Sequence, residues 1–204
     1  ATPFFPSLVN IDASREAKLA KVLSEKEIGA MNIEEEFKNR LALIILKRLD
    51  AFAENDSDVG HTTRVVHTIK TGDSEPFRQR VRVVPYHLRE FVERELDRLL
   101  EAKLISPAIP GECPYASAIV IVKKKDGSYR LCVDYRQLNQ KTVKDSYPLP
   151  RMEELLVQLG KARFFIALDL LMGYHQIAIA LADRFKTAFI THKGLFVYNA
   201  MPFG

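Results

Sequence analysis

Arg163-Phe164-Phe165-Ile166-Ala167-Leu168-Asp169-Leu170-Leu171-Met172-Gly173-Tyr174-His175-Gln176 is the stretch on which the reading of this chain turns. An apolar run from Phe164 to Leu168 meets a single aspartate, and Gly173 breaks the chain four residues later. A run of that length reads as a buried strand. A carboxylate at the end of such a strand is costly unless a cation, Lys or Arg pairs with it. Two readings of Asp169 therefore stand side by side: a metal ligand, or a strand-end residue that caps the next turn.

Outward from that stretch, Gln176–Leu181 is expected to pair with the Asp169 strand or run beside it. Phe185–Thr191 and Leu195–Ala200 are expected to form a hairpin around His192-Lys193-Gly194. Upstream, Arg151–Leu159 reads as a short helix with Met152, Leu155, Leu156 and Leu159 inward, ended by Gly160. The block before it is more informative. Ala118–Val122 and Tyr129–Tyr135 are strands joined by Lys123-Lys124-Lys125-Asp126-Gly127-Ser128, a basic tip on an Asp-Gly turn. Between Ile121 and Lys144 there are seven basic and two acidic residues, a local excess larger than the +4 of the whole chain. A mobile basic hairpin can hold a triphosphate or a nucleic-acid backbone, although lysines at a tip are also simply solvated. Asp134 and Arg136 flank an aromatic and can brace a loop.

Pro85 opens an amphipathic helix that runs to Lys103, with Leu88, Phe91, Val92, Leu96, Leu99 and Leu100 inward. Arg78, Arg80 and Arg82 alternate, which puts three guanidinium groups on one face of an extended strand. That face is either an edge protected from pairing or a stripe that tracks phosphates. Val65–Ile69 reads as a strand, and His67 within it as a structural histidine. Thr71–Ser74 is a turn. Residues 54–60 form a polar linker. Before it, Leu19, Val22, Leu23 and Ile28 suggest one helix. Asn32 and Glu35 suggest a capping box for a second, with Phe37, Leu41, Ile44, Ile45, Leu49 and Phe52 on its apolar face. Residues 1–11 read as irregular.

The chain has 204 residues, 47% of them hydrophobic, enough for one sizeable core or two modest ones. Its two cysteines, Cys113 and Cys132, match neither a disulfide framework nor a CxxC metal site and fit a reducing compartment. No signal-peptide pattern or membrane-length apolar run is visible. Both ends look cut from something longer.

Taken in order, these blocks resemble the reverse transcriptase domain of gypsy-type long-terminal-repeat retrotransposon Pol polyproteins. The matching blocks are Tyr115-Ala116-Ser117, Lys123–Ser128, Arg130 with Cys132–Asn139, Asp145–Pro150, Leu168-Asp169-Leu170 with Gly173–Gln176, Lys186–Phe189 with Thr191 and Gly194, and Met201-Pro202-Phe203-Gly204. The likeness is strong from about Thr62 onward and weak before it. It implies an α+β, fingers-and-palm polymerase fold over 61–204, with 1–60 as a helical connector or spacer. It also implies that the chain stops short of the Tyr-x-Asp-Asp hairpin bearing the family's other two catalytic aspartates.

By the same resemblance Asp169 is the first catalytic aspartate and a metal ligand, with the Leu170 backbone carbonyl on the same ion. Lys124 and Arg130 hold the triphosphate, Tyr174 lies under the sugar, and Phe203 sits beside the templating pair. Arg78, Arg80, Arg82, Lys123, Lys125 and Arg136 are candidates for nucleic-acid contact. The implied cofactor is a pair of Mg²⁺ ions, whose site these residues leave incomplete. The implied function is RNA-directed DNA polymerisation by two-metal phosphoryl transfer, with the isolated chain inactive. The alternative is a non-catalytic remnant or domesticated binding module. Implied partners are a primed RNA or DNA template, a dNTP, and the palm, thumb, ribonuclease H and integrase portions of the same polyprotein. The implied location is a cytoplasmic virus-like particle or the nucleus. Four positions depart from the family pattern: Lys103 where Gly is usual, Ala118 where Pro is usual, and Leu171 and Met172, which make the surroundings of Asp169 unusually apolar. With the Phe164–Leu168 strand lacking a partner, an exposed apolar face is expected.

Overall fold

The computed structural model describes residues 13–25, 34–55, 58–160, 162–163 and 165–204. They fall into two compact units, Ala1–Gly60 and His61–Gly204.

In the first unit, α1 (Ala13–Glu25) packs on α2 (Glu35–Lys47) and on a 3-10 turn, Leu49–Ala51. Leu19 and Val22 meet Ala42, Ile45 and Leu49 in a small core. The buried residues of α2 are Lys38, Ala42 and Ile45; of the expected apolar face, Ile45 and Leu49 are buried and Leu41 and Phe52 pack against them in part. Phe37 and Ile44 lie in solvent. The physical reason is Lys38, whose stem is buried while its ammonium reaches Glu35 Oε1 at 2.9 Å. Glu34 occupies the cap position without a side-chain hydrogen bond; Asn32, the expected cap, Ile28 and residues 1–11 lie outside the described residues.

The second unit is built on a five-stranded sheet of order β2 (Ile105–Pro107), β7 (Gly194–Tyr198), β6 (Phe189–Thr191), β3 (Ser117–Lys123), β4 (Tyr129–Val133). All neighbours are antiparallel except β3 and β6. β1 (Thr62–His67) pairs in parallel with β5 (Ile177–Ile179) in a separate two-stranded sheet. β5 therefore does not pair with the Asp169 stretch. The helix α3 (Tyr86–Glu101) lays Val92, Leu96 and Leu99 against the core made by Ile119, Tyr135, Phe189, Phe196 and Tyr198. Its C-terminus closes through Lys103, which adopts φ 56°. The Leu104 N–H then donates to the Leu99 carbonyl at 3.0 Å, and that of Lys103 to Leu100 at 2.9 Å. This is the left-handed cap for which glycine is better suited.

The β3–β4 hairpin forms as expected, with Lys123 opposite Tyr129 and Ile119 opposite Val133. Gly127 takes φ 85° in the turn, as an Asp-Gly pair requires. β3 is buried at Ser117–Ile119 and solvent-exposed at Val122–Lys123, so the hairpin projects out of the core. Ala118, where the family pattern has Pro, gives its N–H to Gln79 Oε1 at 2.8 Å; a proline there has no N–H to give.

Residues 165–170 form no strand, against expectation, while their exposure, Leu168 by 81%, agrees with the uncovered apolar face expected there. The helix α5 (Met152–Leu159) buries none of its residues, with Met152, Leu155, Leu156 and Leu159 all exposed. An apolar pattern states that a segment needs cover, and among the described residues neither segment has any.

Candidate functional site

The 3-10 turn Gly173–Gln176 follows Met172, which is forced into the left-handed region at φ 47°. The backbone is tight there: a side chain at Gly173 would come within 3.2 Å of Leu170 Cβ. The turn sends two neighbouring rings in different directions. Tyr174 faces solvent, 53% exposed, while His175 is 6% exposed. Tyr174 meets Phe203 edge to face, centroids 5.3 Å apart at 73°. Both rings line a cleft of about 480 Å³ whose other walls include His67, Tyr135, Leu138, Asn139 and Thr142. The floor is rigid because the Tyr135 hydroxyl donates to the Thr187 carbonyl at 2.8 Å. Burial pushes the phenol of Tyr135 well above its ordinary range, so it stays a donor. The α4 helix (Arg136–Lys141) contributes Asn139, which donates to the Gly204 carbonyl at 2.6 Å and ties the two walls.

Sequence pattern marks His175 only as part of a motif. Its Nδ1 lies 3.0 Å from the Met201 carbonyl, which can only accept, so Nδ1 carries the proton. Burial lowers its basicity and favours the neutral ring. The signal in the sequence, a histidine one residue from an exposed aromatic, is too common to decode alone.

The basic hairpin presents Lys123, Lys124, Lys125 and Arg130 to solvent. Among the described residues none of these four cations forms an ion pair. The one nearby carboxylate is occupied: Asp126 Oδ1 accepts from the Ser128 hydroxyl at 2.7 Å and its N–H at 2.9 Å. Those bonds hold the Asp126 carboxyl below its ordinary value. The tip therefore keeps its lysines available for an anion.

The arginines divide differently from the expected stripe. Residues 78–84 are not a strand; a single bridge joins Arg78 to Ala116. Gln79 takes over, accepting from Ala118 N–H and donating to the Asp134 carbonyl at 3.2 Å. Arg78, Arg80 and Arg82 are exposed, but so are Val81 and Val83, so the segment does not alternate. Arg82, however, is engaged by Asp134 Oδ2 at 2.8 Å, and Arg136 by both Asp134 oxygens, at 2.8 and 2.6 Å. Asp134 is 8% exposed. Its carboxyl is drawn down to about 2, chiefly by the Arg136 hydrogen bonds, against desolvation and with help from the Arg82 charge. Arg82 and Arg136 thus build the fold under the hairpin as well as facing solvent.

Asp169 and Leu170 lie in the exposed 165–170 segment, away from any strand end. Among the described residues no three His, Cys, Asp or Glu side chains gather where they could hold a metal ion. The donor set present does not fit a pair of bridged Mg²⁺ ions, which need several hard oxygens. The structure thus brings together Tyr174 and Phe203, keeps Lys124 and Arg130 on one hairpin, and assembles no metal site around Asp169.

Residues 122–204 match the family model described as reverse transcriptase (RNA-dependent DNA polymerase). Over 179 residues, 85% of this chain, the sequence is 37% identical to the retrovirus-related Pol polyprotein from transposon gypsy of Drosophila melanogaster, covering 17% of it. It is 30% identical over 200 residues to the corresponding polyprotein from transposon 412 of the same species, 95% of this chain and 16% of the relative. The chain thus spans about a sixth of the length of these curated relatives. Among solved structures, the protease-reverse transcriptase of prototype foamy virus superposes with TM-score 0.74 at 21% identity, over 95% of this chain and 25% of that one. A foamy viral protease-reverse transcriptase in complex with an RNA/DNA hybrid gives TM-score 0.69 at 20% identity, over 98% of this chain and 26% of the other. These superpositions establish the α+β, reverse-transcriptase-like fold. The ordered motif blocks, the shared fold and the sequence identity agree: the chain is similar, over most of its length, to the reverse transcriptase part of gypsy-type retrotransposon Pol polyproteins.

Proposed function

We propose that this chain forms the nucleotide- and template-facing part of an RNA-directed DNA polymerase, with 1–60 as a connector and 61–204 as fingers and partial palm. The observation that carries the reading is the Tyr174–Phe203 wall of the cleft, on a unit that also bears the unpaired Lys124 and Arg130. A rigid aromatic under a sugar discriminates by shape, because a 2′-hydroxyl there would clash. Cations on a projecting hairpin neutralise phosphate charge and can close behind a bound triphosphate. Arg78, Arg80, Lys123 and Lys125 remain as solvent-facing contacts for a nucleic-acid backbone. Arg82 and Arg136 are secondary candidates because Asp134 already holds them.

Mg²⁺ would supply Lewis-acid stabilisation of the leaving phosphate when bound in a complete site. Asp169 provides one carboxylate toward such a site, and the described residues add no others. The 204-residue chain alone is therefore proposed to bind substrate without polymerising. The partners of the reading are a primed template, a dNTP and further segments of a Pol polyprotein, in a cytoplasmic particle or the nucleus.

Primer extension on poly(rA)·oligo(dT) with dTTP and Mg²⁺ tests the inactivity of the chain; robust incorporation abolished by Asp169→Asn would refute it. The exposed basic hairpin is equally compatible with a purely nucleic-acid-binding module. Lys124→Ala and Arg78→Ala should each weaken binding of an RNA/DNA hybrid and reduce its salt dependence. Unchanged affinity in both would remove the basic surface from the reading.

A further inference from the structure

We infer that His175 is a positioning residue: it clamps the Met201–Phe203 segment from behind and thereby sets the aromatic wall against which a ligand in the cleft must fit. The imidazole does not line the cleft itself. It lies beneath the wall, with one face stacked on Tyr198 at 6.1 Å and 14° and with Phe203 edge to face at 5.0 Å and 74°.

The backbone leaves Phe203 little choice. Met201 is held at both of its polar groups: its N–H donates to the Ile177 carbonyl at 2.8 Å, and its carbonyl accepts from His175 Nδ1 at 3.0 Å. Pro202 then fixes its own φ, and the Gly204 carbonyl is taken by Asn139 at 2.6 Å. Phe203 therefore stands between two anchored points, with its ring meeting His175 and Tyr174. His175 and Tyr174 are consecutive residues of one short turn. One element thus supplies both the exposed ring and the ring and hydrogen bond that fix its partner. A leucine would fill part of the volume at 175 but could not donate to Met201. A phenylalanine would keep the stacking and lose the donor. An asparagine would keep an N–H near the Nδ1 position and lose the ring.

This separates a merely packed histidine from a positioning one. Its consequence for nucleotide selection rests on reading the cleft as a nucleotide site; the placement of the rings does not. The test uses the full chain with isotope-labelled His, Tyr and Phe, at pH 8. In the wild-type protein the ¹⁵N shifts of His175 should report the neutral Nδ1–H tautomer, and a nuclear Overhauser contact should connect the Tyr174 and Phe203 rings. His175→Phe should lose that contact and His175→Asn should retain it. Nε2–H as the wild-type tautomer would overturn the inference without any variant having to fold. So would a Tyr174–Phe203 contact that persists in His175→Phe, or one lost equally in His175→Asn. In a parallel titration with dTTP, His175→Phe should bind about tenfold more weakly than wild type, the loss expected for one hydrogen bond's positioning. His175→Asn should stay near the wild-type value. If the wild-type chain binds no dTTP, the nucleotide-site reading fails while the ring contacts still decide the role of His175.

Discussion

Replacing Asp134 by Asn isolates the electrostatic anchor under the basic hairpin. The carboxylate is buried, and its two oxygens receive Arg82 and Arg136 at 2.6–2.8 Å. Its carboxyl is held at about 2 against an ordinary 3.8. A folded value below the unfolded one means that the ionised form stabilises the fold. That contribution is complete above the unfolded value near pH 4 and is lost as pH falls through about 2. A displacement of this size corresponds to roughly 2 kcal/mol at neutral pH and about 0.4 kcal/mol at pH 2. Both arginine head groups reach solvent and can rehydrate, which keeps the cost of Asp134→Asn near that figure rather than above it. All seven tyrosines lie between residues 86 and 198 and the chain has no tryptophan. Tyrosine emission during urea unfolding therefore reads the second unit alone. The variant should be less stable by about 2 kcal/mol at pH 7, and the gap should shrink to a few tenths at pH 2. A gap that stays constant with pH, or one below about 0.5 kcal/mol at pH 7, would refute the assignment of Asp134 as a charge-dependent anchor.

Lys103→Gly should raise the stability of the same unit by about 0.5–1 kcal/mol, because Lys103 sits at φ 56° and its polar contact there, the carbonyl that accepts from Asn199, is backbone. The same urea melts check it, and a loss of stability would mean that the lysine stem contributes packing beyond the cap. Ser117 is fully buried and its hydroxyl has no hydrogen-bond partner among the described residues. Ser117→Ala should therefore be neutral or stabilising by up to about 1 kcal/mol, and clear destabilisation would point to an ordered water on Oγ.

What was legible in the sequence is what local rules decide. The Asp126-Gly127 turn specified the hairpin, and the 3.6-residue recurrence of Val92, Leu96 and Leu99 specified α3 and its inner face. The family resemblance, not a local rule, marked Lys103 as a position where glycine is usual, and the structure places it in the left-handed region. Local rules could not choose partners. The run Met152–Leu159 read as inward-facing and 165–170 as a strand, yet a pattern names one surface and not its cover, and among the described residues neither segment is covered. Phe37 and Ile44 were wrongly placed on the α2 face and Lys38 left out of it, because a lysine counts as polar in a pattern and as apolar along its stem. Arg82 and Asp134 are 52 residues apart, so nothing in either neighbourhood announced their ion pair. In the cleft, Tyr174 and Phe203 were both singled out, but their edge-to-face contact and the histidine behind it emerge only from the fold.

The parallel pairing of β1 with β5 also sets an order in time. Thr62 meets Ile177, and the strands β2 and β3 likewise wait for β7 and β6 near the end of the chain. At about 5–20 residues per second of synthesis, β1 spends roughly 6–20 s on the ribosome before its partner strand is made. The helices α3, α4 and α5 and the β3–β4 hairpin, whose contacts are local, can form in that interval. Val65 and Val66 stay half-exposed even in the finished sheet. A nascent chain therefore carries an unpaired valine-rich edge until β5 has been made, and this is a segment that a holdase chaperone would be expected to grip.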